Sequence, residues 1–106
     1  MPIALTLDQF VATIDADARP ADLPTLLEAL WRERHGDWHA AHRLAQDVDD
    51  SDGAWVHAYL HRREGDLGNA AHWYRRADRT PARGTLDEEW LEIAGTLLDR
   101  HARPAR

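Results

Sequence analysis

The chain has 106 residues, enough for one domain around one hydrophobic core. Hydrophobic residues make up 43% and charged residues 30%, the balance of a globular domain rather than a disordered segment. A formal charge of -6 argues against a nucleic-acid binder, and the absence of cysteine and lysine excludes disulfides, thiolate metal sites, cysteine nucleophiles and Schiff-base chemistry.

Helical periodicity runs through the chain. Thr6 and Gln9 form a capping box ahead of Leu7, Phe10, Val11 and Ile14, which share one face and predict a helix over 6–18. After Pro20, Asp22 is the expected cap of a second helix, with Pro24 in its first turn and Leu23, Leu26, Leu27, Leu30 and Trp31 as its stripe. Gly36 ends it, and Asp37 caps a third helix through Trp38, Ala41, Leu44, Ala45 and Val48. A fourth, with Trp55 near its start just after Gly53, carries Val56, Tyr59 and Leu60 and stops at Gly65. A fifth begins at Asp66 and includes Ala70, Trp73, Tyr74 and Ala77 before Pro81. Thr85 and Glu88 make a second capping box for a last helix over 85–101, with Trp90, Ile93, Leu97 and Leu98 buried. No stretch alternates with period two between hairpin turns. An all-α domain spanning 1–106 with about six helices is expected.

Sliding the chain against itself by 29 residues brings two segments into register. Arg34 meets Arg63, Gly36 meets Gly65, Asp37 meets Asp66, Ala41 meets Ala70 and Asp49 meets Asp78. The repeated unit is helix–Gly–Asp–helix, over approximately 23–49 and 53–78. The glycine makes the left-handed turn, the aspartate caps the next helix, and the alanine lets the two helices approach. Gly36-Asp37-Trp38-x-x-Ala41 and Gly65-Asp66-Leu67-x-x-Ala70 resemble the turn and second helix of tetratricopeptide repeats. The run Asn69-Ala70-Ala71-His72-Trp73-Tyr74-Arg75-Arg76-Ala77, followed by Pro81, is similar to the ending of Sel1-like repeats. The likeness covers residues 23–81, and its offset of 29 departs from the 34 residues of a tetratricopeptide unit. It implies a short α-α superhelical stack closed at both ends by flanking capping helices. It also implies a scaffold that binds proteins or peptides, with the first helix of each unit on the concave side.

Seven histidines are many for this length. His57, His61 and Glu64 stand at i, i+4 and i+7, so they share a helix face. A His-x-x-x-His pair on a helix is the geometry that holds zinc or nickel through two imidazoles. His42 and His72, on neighbouring helices, complete the candidate ligand set. The same side chains serve equally as half-buried, hydrogen-bonded packing.

Trp31, Trp38, Trp73 and Trp90 fall at core-facing positions, which leaves Trp55 as the tryptophan available for recognition. Trp55, Tyr59 and Arg62 are the expected anchors of a partner groove, with His57 and His61 as polar contacts. Arg62-Arg63, Arg75-Arg76, Arg79 and Arg83 suit a protein or peptide partner with acidic or free-carboxylate features. Replacing Trp55 and Arg62 by alanine is expected to remove partner capture and leave the melting temperature nearly unchanged. The chain would act as a monomer, or as a homodimer through Trp55. There is no glycine-rich phosphate loop and no Gly-x-Ser-x-Gly elbow, and the single serine, Ser51, has no base at a recognisable spacing. No cofactor is expected, and catalysis would have to rest on acid–base work by His42, His57 and His61. No apolar run approaches the roughly 18 residues of a membrane span, and the first residues lack the basic start of a signal peptide. A cytoplasmic adaptor or scaffold is therefore the expectation, with a histidine-rich metal or small-ligand domain as the alternative.

Overall fold

The computed structural model describes residues 5–102 and, among them, six α-helices and no strand. These are α1 (Leu7–Asp15), α2 (Thr25–Arg34), α3 (Trp38–Gln46), α4 (Ser51–Glu64), α5 (Leu67–Arg76) and α6 (Leu86–Ala102). The punctuation seen in the sequence sets most of their ends. Thr6 Oγ1 accepts from the Gln9 amide at 3.1 Å while the Gln9 side chain accepts from the Thr6 amide at 2.9 Å. Thr85 and Glu88 repeat that exchange ahead of α6. Gly36 and Gly65 both lie in the left-handed region, at φ 83° and 89°, where a side chain would be strained. Asp37 then accepts from the Ala40 amide and Asp66 from the Asn69 amide, three residues on in each case.

Three details depart from the expected elements. Pro24 is the N-cap of α2 and makes no side-chain capping bond, whereas Asp22, the expected cap, sits outside the helix at φ 61°. The first helix ends at Asp15 rather than 18, because Asp17 turns left-handed at φ 52°. The fourth begins at Ser51, capped by Asp50 on the Gly53 amide at 2.8 Å, so Trp55 lies in its second turn and not at its mouth.

Helix α2 packs on α3, and α4 on α5, as two hairpins; α3 packs against α4 and joins them. Helix α6 returns across α2 and α4 and also touches α1. The middle of the bundle is α4, buried continuously from Gly53 to His61. Phe10, Leu27, Leu30, Tyr59, Leu60, Trp90, Ile93 and Leu97 fill the core around it. Phe10 stacks on Trp90 at 5.9 Å, and the Trp90 indole N–H donates to the Leu30 carbonyl at 3.2 Å, which seats α6 over the end of α2. Among the described residues no helix is long and apolar enough to cross a membrane.

Candidate metal centre

The α3–α4 seam is where the histidines gather. One-face spacing on α4 presents His57 and His61 together, and α3 brings His42 against them. The ring nitrogens of the three lie within 4.8 Å of one another. His42 Nε2 and His57 Nε2 are 2.8 Å apart, so one imidazole donates to the other. The rings of His57 and His61 stack at 4.9 Å, and His42 meets both edge-on, at 4.5 and 5.2 Å. Glu64, one turn beyond His61, holds its Nδ1 at 2.8 Å and leaves Nε2 as the free nitrogen. A carboxylate on the far nitrogen of an imidazole fixes ring orientation and raises its basicity as a ligand.

Two tryptophans wall the cluster. Trp38 stacks on His42 at 4.8 Å and meets His61 edge-on at 5.8 Å. Its indole N–H donates to the Leu60 carbonyl at 2.7 Å, which locks the ring in place. Trp73, from α5, lies flat on His57 at 3.8 Å. His57 and His61 are 3% and 6% exposed, while His42 is half-buried and supplies the solvent side.

Burial first, then repulsion from His42, His61 and His72, lowers the His57 pKa from 6.5 to about 4. Burial and His61 also lower that of His42, against an opposing pull from Glu64. Both imidazoles are thus neutral near pH 7 and have lone pairs to give, the state a metal ion requires. Ligands about 2.05 Å from a tetrahedral ion stand about 3.3 Å apart, so the trio needs only a small adjustment to close on one. His61 also approaches Glu64 and Asp66 closely enough to form a second possible ligand group, but both carboxylates are exposed.

The remaining expected site residues go elsewhere. His72 is exposed, meets Trp73 edge-on at 5.4 Å and does not join the trio. Trp55 is 3% exposed, with the Arg79 guanidinium 3.4 Å from its ring centroid, and Tyr59 is fully enclosed with its hydroxyl on Glu33. Burial and the Glu33 carboxylate together push the Tyr59 hydroxyl far above its ordinary pKa. Arg62 donates to Glu89 at 3.0 Å and to the Gly84 carbonyl. Glu89 in turn accepts from the Tyr74 hydroxyl at 2.6 Å, deep in the structure. The expected groove anchors therefore face other parts of the fold: Trp55 and Arg62 meet α6 and the segment before it, and Tyr59 meets α2. Of the tryptophans, Trp31 and Trp90 are buried in the core as expected, Trp55 joins them there, and Trp38 and Trp73 are only partly buried against it.

Sequence reasoning missed the two buried carboxylates. A signal was there: Glu33 continues the Leu26–Leu30 line, and Glu89 stands four residues before Ile93, each on an apolar stripe. No family model, no curated protein and no solved structure matches this chain.

Proposed function

We propose that the chain is a metal-binding domain that holds a zinc-class divalent ion between His42, His57 and His61. The observation that carries this reading is the convergence of three imidazoles, two buried and one half-buried, within 4.8 Å, with Glu64 behind one of them. All-nitrogen donor sets suit zinc, nickel, cobalt and copper, and exclude magnesium and calcium, which take oxygen. Three histidines leave a fourth position for water or a ligand, the pattern of open rather than purely structural zinc sites. A chain with no cysteine has no disulfide to form, which suits the cytoplasm.

Thermal unfolding with zinc, nickel or cobalt, each followed by chelator, tests the proposal. At about 100 times its dissociation constant a native-state ligand adds about 2.7 kcal/mol. For a domain of this size that raises the melting temperature by about 10 °C or more. The expected shift is reversed by chelator, lost in His57→Ala and His61→Ala, and kept in His39→Ala, whose ring is exposed. Far-UV circular dichroism checks that each variant is folded. No shift with any of the three metals overturns the reading and leaves the imidazoles as hydrogen-bonded packing.

A second reading is a helical-hairpin scaffold for a protein or peptide partner, related to tetratricopeptide or Sel1-like repeats. It is supported by the matching Gly–Asp hinges of the α2–α3 and α4–α5 hairpins. Arg79 and Arg83, which line a cleft of about 530 Å³ beside Trp55, would be its anion-recognising groups in place of Arg62. The metal experiment separates the two readings, since a scaffold gains no stability from zinc.

A further inference from the structure

We infer that the cavity walled in part by His57 opens onto the histidine centre, and that it takes a small monocarboxylate, which would complete the metal's coordination and be oriented by Arg76. The inference rests on the metal reading above and names what the fourth position accepts.

The cavity follows from side-chain size. Helices α3 and α4 are joined by the short segment 47–50, so residues one turn later on α3 lie across from residues one turn earlier on α4. One turn on from His42 stand Ala45 and Gln46; one turn back from His57 stand Gly53 and Ala54. A layer of large rings is thus followed by a layer of mostly small side chains, and the difference leaves a void of about 430 Å³. That is within the range of small-molecule sites. His57 belongs to both the trio and the cavity wall. Trp38 lies on His42 and edge-on to His61, and of the three imidazoles it is His57 that lines the void.

The chemistry of the wall selects the ligand. Arg76, an exposed residue, is the arginine of this wall, and no salt bridge joins it to an acidic side chain among the described residues; its guanidinium is 5.1 Å from the Trp73 ring centroid, and Trp73 lies on His57. A guanidinium binds a carboxylate through paired N–H donors. Asp49 and Asp50 line the same cavity and oppose a ligand of higher negative charge. Asp50 is already committed, since its Oδ1 accepts the Gly53 amide. One guanidinium set over Trp73, the proposed ion and two neighbouring carboxylates fit a monoanion, whose oxygen would take the metal's open position with no bond in the ligand broken.

The test uses the full chain loaded with cobalt(II), whose visible bands report coordination, titrated with acetate at constant ionic strength. Acetate should change the spectrum saturably. Arg76→Ala and Arg76→Gln should raise the acetate dissociation constant at least about tenfold, the scale of a lost charge-assisted hydrogen bond. Neither should change cobalt affinity, and Arg75→Ala, on the same helix and outside the cavity, should behave as the parent. Cobalt binding without any acetate response, or a response identical in the Arg76 variants, overturns the carboxylate cavity and leaves the metal centre standing. Failure of cobalt, zinc and nickel alike to bind overturns both; if cobalt alone fails, the acetate titration is run by calorimetry on the zinc or nickel form with the same outcomes.

Discussion

At the scale of single residues, the most consequential group is His57, an imidazole held neutral inside the fold. Its folded pKa, about 4, lies below the free value of 6.5, so between those values the unfolded chain binds more protons. The stability contribution of this site is complete above pH 6.5 and is lost as the pH falls toward 4. His42, shifted the same way, adds to the effect. One proton gives a slope of at most about 1.4 kcal/mol per pH unit. Urea midpoints of the metal-free protein should therefore drop between pH 7 and pH 5, and drop less in His57→Gln; equal slopes in the two proteins would count against the burial argument. The pairing of His57 with His61 was legible from their spacing alone. That His42 joins them and His72 does not was illegible, because it depends on how α3 and α5 are seated against α4.

At the scale of elements, local chemistry sets the helix ends and shows itself in the sequence. Two capping boxes, two left-handed glycines and two hinge aspartates are each satisfied by neighbours within a few residues. Asp22 misled because the segment around Pro20 and Pro24 turns left-handed there instead of entering the helix. Gly53 is a different case, since its helical backbone gives no local sign of need. A Cβ there would stand 1.9 Å from the Val48 carbonyl oxygen, so the α3–α4 link is drawn tight over the first turn of α4. Gly53→Ala should destabilise the protein by about 3 kcal/mol or more, as overpacking against unyielding backbone does, measured by denaturant unfolding. A change below about 1 kcal/mol would mean that this link moves freely.

At the scale of the whole molecule, α6 is tied to the second hairpin by polar groups sunk in an apolar seam. Glu89 accepts from both Tyr74 and Arg62, and Arg62 also reaches the backbone of the segment before α6. Arg62→Ala leaves the buried Glu89 carboxylate without its cation, a loss on the order of 3–5 kcal/mol. The melting temperature should fall by about 10 °C or more, where the sequence-based expectation was almost no change. Glu89→Gln combined with Arg62→Ala should recover part of that loss, and calorimetry on the single and double variants checks both. Such ties were not legible because they join residues 27 and 15 positions apart. Helical periodicity showed which faces are buried, but not which helix covers them. For that reason Trp55 and Tyr59 looked available as groove anchors, when Trp55 lies against α6 and its leading segment and Tyr59 against Glu33 of α2.

The aromatic walls of the histidine trio have an optical consequence. Excited indole is quenched by electron transfer to a neighbouring imidazolium, and a metal ion on the imidazole changes that exchange. Trp38 and Trp73 lie flat on His42 and His57, so protonation or metallation of the trio is written into the protein's own fluorescence. Trp55 and Trp90 have arginine guanidinium groups over their rings. The remaining indole, Trp31, stacks on His35 outside the trio, and His39 and His72 meet Trp38 and Trp73 edge-on, so removing these three imidazoles would isolate the signal of the centre. The domain thus carries its own spectroscopic label at the place where its chemistry is proposed.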